Sequence, residues 1–309
     1  MSIAPDAFAF VSDTVRRDSA IVLEPGKEYL VESRLLPLAR AAGLPDVDAY
    51  VAHVRTRGTT ADRAAIVEAL TTNETSWFRD RDPFDVLVQT VIPDLVGRLG
   101  ARRRITIWSG ACSSGQEAYT IAMLMAEHVL PLGWQVDIVA TDIAPSMLER
   151  TRQGRYSQLE VGRGLPAPLM VKHFQRVGPH WQVSDQLRSM VRVQHLNLAA
   201  PFPALPVFDI VFLRNVLIYF DTPTKKAVLD RVRRVLSPDG YLFLGGAETT
   251  LGVDESWHRT PVGRLTLNRP RPPAAPAAPP VLAAPAAGRA PTPARPASLW
   301  TSPVREQVI

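Results

Sequence analysis

From Arg104 onward, short runs rich in β-branched and aromatic residues alternate with stretches of helical periodicity, and this alternation limits the fold more than any other feature of the chain. The strand-like runs are ITIWSG (105–110), VDIVATDI (136–143), VRVQHLNL (191–198), FDIVFLRN (208–215) and GYLFLGG (240–246). Helical patterns separate them, such as QEAYTIAMLMAEHVL after the first and KKAVLDRVRRVLS before the last. Strands alternating with helices imply right-handed crossovers and a mostly parallel, doubly wound α/β sheet. Between Arg155 and Met190 the alternation lapses at a series of glycines and prolines. An inserted small β subdomain at about 155–190 is expected there.

Residues 1–80 contrast with this pattern. Four helical stretches, FAFVSDTVRRDS, KEYLVESRLLPLARAAG, VDAYVAHVRTRG and ADRAAIVEAL, occur without a strand signal and predict a small all-α domain. The α/β part is then expected over 81–269. The remaining segment, 270–309, holds more than a third of the 28 prolines and few large apolar residues, and is read as a Pro/Ala-rich disordered tail.

Charge decides between function classes. The formal net charge is +5, but the tail contributes +3 of it, leaving 31 basic against 29 acidic residues up to position 269. A body so nearly neutral is a poor nucleic-acid binder, because affinity for a phosphate backbone is largely counterion release by clustered Lys and Arg. The single Cys112 and six histidines without a close pair point to no metal centre. No apolar run reaches membrane-spanning length, and the first residues carry Asp6 and Asp13 where a signal peptide would be basic and then apolar. A cytoplasmic location without membrane insertion is expected.

In a doubly wound sheet a ligand lies beyond the carboxyl ends of the strands, at the point where strand order reverses. The first strand runs into the small-residue turn from Gly110 to Gly115, followed by Glu117; the second ends at Asp142, the next at Asn197 and Leu198, and the fourth at Arg214, Asn215 and Val216. Each has an ordinary reading as well. Glu117 suits a solvated first-turn acid, Asp142 the N-cap of a helix starting near Ala144, and Asn215 a turn. Together, at successive strand ends, they favour a nucleoside-type ligand, with Asp142 placed to accept both ribose hydroxyls. Gly110 and Gly115 do not make the G-x-G-x-x-G of a pyrophosphate-binding dehydrogenase. The balance tips to S-adenosylmethionine, which has no phosphates.

Four segments then resemble the CheR chemotaxis receptor methyltransferases. They are TTNETSWFR (71–79), SGACSSGQEAYT (109–120), ATDI (140–143) and RNVLIYFD (214–221), similar in family order to TTN-x-T-x-FFR, SxxxSxGEExYS, ATDI and RNVxIYFD. Gln116 and Ala118 depart from the family's usual glutamate and proline. The resemblance implies a Rossmann-like S-adenosylmethionine-dependent methyltransferase domain with an inserted β subdomain, preceded by the all-α domain. It also implies transfer of methyl groups to glutamate carboxylates of chemoreceptors, with S-adenosylhomocysteine as product. Carried over by position, it puts Asn73, Thr75, Arg79, Glu117, Asp142, Asn197, Leu198, Asn215 and Val216 around the cofactor; catalytic roles are expected for Arg79, positioning the substrate's or the cofactor's carboxylate, and for Tyr219, shaping the methyl-transfer pocket. The partner is the cytoplasmic helical region of chemoreceptors, met by a monomer. Lys27, Arg34, Arg40, Arg55, Arg57 and Arg63 are candidates for a basic surface facing that acidic substrate. The brevity of the segment 176–180 suggests an enzyme that does not need a receptor's C-terminal pentapeptide. The competing reading is a degenerate CheR-like scaffold that binds cofactor without turnover. RNVLIY in place of an N/D-P-P-Y/F motif argues against base-amine methylation.

Overall fold

Helix α1 (Pro5–Ser19) opens the chain, followed by α2 (Glu28–Ala41), α3 (Val47–Arg57) and α4 (Thr60–Leu70). The computed structural model describes residues 3–271, and the expectation for the tail lies outside them from residue 272 on. Valines, leucines and Ile66 at helical spacing, among them Val11, Val15, Val31, Leu35, Val51 and Val54, are fully buried and form the core of this bundle. Two helix starts follow local chemistry. Asp46 accepts the Ala49 amide at 2.8 Å, and Thr59 with Asp62 closes a capping box on α4.

A short helix α5 (Asp82–Val86), one π-turn and α6 (Ile92–Arg98) lead into the sheet. Next come β1 (Arg104–Gly110), α7 (Gln116–His128), β2 (Gln135–Asp142) and α8 (Pro145–Gln153). After the insertion the chain continues through β6 (Val191–His195), β7 (Phe208–Leu213), α12 (Thr222–Val235), β8 (Leu236–Leu244), β9 (Trp257–Val262) and β10 (Leu265–Pro270). The order across the sheet is β6-β2-β1-β7-β8-β10-β9. β6, β2, β1, β7 and β8 are mutually parallel, and β10 is antiparallel to both its neighbours. The β9–β10 hairpin is absent from the sequence reading. Pro261 and the charged residues in WHRTPVGRLTLNRP hide its period-two pattern, which the Gly263 turn (φ 60°) nevertheless closes.

Period-two alternation distributes each strand between two cores. Ile105, Ile107, Ile138, Ile210, Phe212, Tyr241 and Phe243 enter the face that α7 covers, while Trp108, Val139, Val211, Leu213, Leu242 and Leu244 enter the face that α12 covers. Phe212 stacks on Phe243 with ring centroids 4.4 Å apart.

The insertion folds as β3 (Arg155–Ser157), α9 (Gln158–Gly162), α10 (Ala167–His173), β4 (Phe174–Val177), β5 (His180–Val183) and α11 (Asp185–Met190). Its three strands form a separate antiparallel sheet, β3-β5-β4. It is anchored on Trp77, which is buried edge-on against Tyr156 (4.9 Å) and Phe174 (5.3 Å). Trp77 is thus a core aromatic, and its polar neighbours in the same motif remain available to the cavity described next.

Candidate active site

Strand order reverses between β1 and β7, and a cavity of about 890 Å³, its open mouth included, lies beyond their carboxyl ends. All ten residues singled out from the sequence line it: Asn73, Thr75, Arg79, Glu117, Asp142, Asn197, Leu198, Asn215, Val216 and Tyr219.

The turn after β1 is held in an unusual backbone. Ala111 (φ 56°), Ser113 (φ 51°) and Gly115 (φ 93°) are left-handed at alternate positions. Its neighbours enforce that path. The Ser113 amide donates to Asp142 Oδ2 (2.8 Å), Thr151 Oγ1 donates to the Ser113 carbonyl (3.0 Å), and Tyr156 Oη donates to the Ser114 carbonyl (2.7 Å). A Cβ at Gly115 would lie 2.7 Å from Thr151 Cγ2, so only glycine fits. Gln116, which departs from the family pattern, is buried and accepts the Ser114 hydroxyl at 2.8 Å.

Asp142 is 5% exposed, and burial, opposed by backbone N–H donors, pushes its carboxyl above the ordinary value. Its other oxygen accepts the Ala144 amide at 2.9 Å, but the N-cap of α8 is Ala144 and no side chain caps that helix, so Asp142 braces the turn before α8 and is not its N-cap. Each oxygen accepts two bonds, so the carboxylate retains capacity for two adjacent hydroxyls.

Glu117 is not solvated. Its side chain is 14% exposed, Ser109 Oγ donates to Oε1 (2.8 Å), and the guanidinium of Arg214 donates to Oε2 (3.0 Å). Arg214, almost fully buried, also donates to Asp80 Oδ2 (2.7 Å) and to the carbonyl of Arg79 (2.8 Å), and lies over the Phe84 ring. It ties the acid of α7 to a turn in which Phe78, Asp80 and Arg81 all have positive φ. The sequence reading placed Arg214 at a strand end without giving it this work. Arg79 itself donates to the Glu74 carbonyl (2.9 Å), and Ser113 Oγ donates to the Asn73 carbonyl (2.7 Å), which brings the 71–79 segment onto the β1 turn.

Asn197 lines the cavity with its amide already engaged: Nδ2 donates to the Asp18 carbonyl (2.7 Å) and Oδ1 accepts the Ala199 amide (2.9 Å). Its expected place beside the adenine is therefore one of shape more than of free hydrogen bonds. The helical domain contributes Ser19 and Ile21 to the lining, which no local signal foretold. Arg34, a candidate for the basic receptor-facing surface, instead donates to the Leu70 and Thr71 carbonyls (3.0 and 2.8 Å) and braces the start of the 71–79 motif. Cys112 also reaches the cavity, and burial holds its thiol well above the ordinary range, so it meets a ligand uncharged.

The donor set suits S-adenosylmethionine. Carboxylates, Glu117 and Asp142 among them, face a ligand that bears a sulfonium and an ammonium, Ile143, Leu196, Leu198 and Val216 supply apolar walls for a base, and Asp142 has room for a ribose diol.

The sheet order and the cavity at its switch point define a Rossmann-like methyltransferase. Residues 73–262 match the family model described as CheR methyltransferase, SAM binding domain, and residues 6–71 match the CheR methyltransferase all-alpha domain. The chain is 42% identical over 254 residues to chemotaxis protein methyltransferase 1 of Pseudomonas aeruginosa, covering 80% of this chain and 92% of that one. It is 40% identical over 242 residues to chemotaxis protein methyltransferase Cher2 of Pseudomonas putida, covering 77% and 88%, and 39% identical over 267 residues to the enzyme of Vibrio parahaemolyticus, covering 83% and 94%. The chain belongs to the CheR methyltransferase family and uses S-adenosylmethionine. Among the described residues no helix is long and apolar enough to cross a membrane.

Proposed function

We propose that this protein methylates glutamate side-chain carboxylates on the cytoplasmic helical region of chemoreceptors, acting in the cytoplasm as a monomer and releasing S-adenosylhomocysteine. The observation that carries the reading is the convergence, on one cavity, of polar residues from six separate segments of a CheR-family chain. Asn73, Thr75, Glu117, Asp142, Asn197, Leu198, Asn215 and Val216 would hold the cofactor, and Arg79 would serve both cofactor and acceptor. The chemistry supplied by the bound cofactor is an electrophilic methyl group on a sulfonium.

The acceptor needs no general base, because a glutamate with a pKa of about 4.3 is ionised at neutral pH. What the chain must do is orient that carboxylate, and alignment of this kind is worth up to roughly 7 to 11 kcal/mol of a barrier. Arg79 is the cation at the cavity whose charge is not already shared between two carboxylates, which suits it to positioning an anionic acceptor. Tyr219 lines the same cavity, and its carbonyl accepts the Val22 amide (3.1 Å) from the α1–α2 link, so the backbone that carries it is tied to the helical domain. The two-residue turn Gly178-Pro179 between β4 and β5 leaves little there to tether a peptide, in keeping with pentapeptide independence.

Calorimetric titration with S-adenosylmethionine and S-adenosylhomocysteine, on the wild type and on Asp142→Ala, tests the site. Binding abolished by the substitution, followed by base-labile methyl incorporation into receptor cytoplasmic fragments, is the expected result. Binding without incorporation would favour the scaffold reading.

A further inference from the structure

Beyond the loop that carries Asn215, Val216 and Tyr219 stands Glu248, in the turn after β8. Its carboxylate accepts four backbone amides: Asn215 (2.7 Å) and Gly245 (2.7 Å) on Oε2, Val216 (2.8 Å) and Leu217 (2.6 Å) on Oε1. Three successive N–H groups can converge on one acceptor because Asn215 is left-handed (φ 58°) and Val216 returns to negative φ (−127°), an alternation that makes an anion-binding concavity of the main chain. Such concavities serve anionic ligands in other folds; here the chain fills its own with a carboxylate.

The close approach is demanding. Gly245 is buried against the same group, and a Cβ there would lie 2.8 Å from both Asn215 Nδ2 and Glu248 Oε2, and 2.9 Å from the Asn215 amide. The Glu248 amide returns a bond to the Gly245 carbonyl (2.9 Å), so the turn bearing the carboxylate is itself closed. The loop it grips leads directly into the single helical turn Leu217–Tyr219.

We propose that Glu248 is a positioning residue for this methyltransferase: it touches neither substrate nor cofactor, and sets the backbone that presents Asn215 and Val216 to the cofactor cavity. This rests on the reading of that cavity as the S-adenosylmethionine site. Charge-assisted bonds to backbone N–H groups are strong, and an uncharged amide of the same shape cannot replace them, because its NH₂ would face amides that also donate. Glu248→Gln therefore frees at least two of the four N–H groups while leaving volume unchanged.

The test is amide hydrogen exchange on the ligand-free full chain, with S-adenosylhomocysteine calorimetry alongside. In Glu248→Gln, exchange at residues 215–217 should rise about tenfold or more with the rest of the sheet unchanged, and S-adenosylhomocysteine affinity should fall about tenfold. In turnover, KM for S-adenosylmethionine should rise while KM for the acceptor protein stays within twofold, a split that general damage to the fold would not produce. Should Glu248→Gln fail to fold, Gly245→Ala, which keeps the carboxylate and displaces its cradle, should give the same local exchange signature. Exchange or affinity within twofold of wild type in a folded variant overturns the proposal. A wild type that does not bind S-adenosylhomocysteine would instead overturn the cofactor reading, and the exchange measurement would still decide whether Glu248 holds the loop.

Discussion

Arg214 shows how a single buried charge can organise a site. Its guanidinium serves Glu117, Asp80 and the carbonyl of Arg79 at once, and with a side chain 2% exposed it has no water to replace a lost partner. Removing one member of a buried ion pair leaves the other uncompensated, at about 3 to 5 kcal/mol. Asp80 is half exposed and recovers solvation, so the lower end applies. Urea titration of Arg214→Leu should show a loss of about 3 kcal/mol; a loss under about 1 kcal/mol would mean that the network is dispensable. Asp142, Glu117 and Asn215 were visible in the sequence because their chemistry sits at strand ends. Two readings left open resolve at this scale: Glu117 is paired and not solvated, and Asp142 bonds the turn before α8 without capping the helix while it lines the cavity.

Between elements, glycines and ion pairs mark where the insertion is fastened. Gly164 (φ 96°) runs so close to the 71–79 segment that a Cβ would lie 2.3 Å from the Trp77 carbonyl, while the Trp77 amide donates to the Arg163 carbonyl (3.2 Å). Gly164→Ala should destabilise the protein by more than about 1 kcal/mol and alter the near-UV circular dichroism of Trp77; an unchanged spectrum would show that the contact yields freely. A second fastening joins α7 to α10, where Glu127 accepts Lys172 Nζ at 2.7 Å and lies 2.7 Å from His173 Nε2. The Lys172 bond first, with help from His173, holds the Glu127 carboxyl below its ordinary value. A depressed carboxylate stabilises the fold above its unfolded pKa and loses that contribution as pH falls through the folded value. Glu127→Gln should accordingly lower Tm at pH 7, with the difference from wild type closing as pH falls through and below the ordinary carboxylate range. A constant difference across that range would sink the assignment. The four bundle helices, α7, α12 and the parallel strands were legible from periodicity, whereas the short helices α5, α6 and α9 to α11 were not. The β9–β10 hairpin was not, because an edge pair with Pro261 and outward-facing charges carries no clean alternation.

At the scale of the whole molecule, the helical bundle is part of the cavity. Ser19 and Ile21 line it, the Val22 amide bonds the Tyr219 carbonyl, Asn197 bonds the Asp18 carbonyl, and the Ser146 amide donates to Glu68 Oε1 (3.0 Å). Ligand binding should therefore stabilise bundle and sheet together. Calorimetric unfolding should show one transition, moved upward by S-adenosylhomocysteine, with a gain of about 2.7 kcal/mol at a hundredfold excess over Kd. Two transitions, with only the later one moved, would mean that the bundle folds independently of the site.

What the sequence determined by itself was the kind of each main element and the chemistry at the ends of the central strands, because period 2, period 3.6 and turn residues are local patterns that survive without neighbours. The tertiary structure alone decided which distant groups meet. Asp18 and Asn197 are 179 positions apart, Arg214 and Glu117 97 apart, and Glu248 reaches amides 31 to 33 positions upstream. No periodicity encodes such partners, since they follow from strand order and from the crossing of the two domains, and a buried donor takes whichever acceptor that packing brings to it.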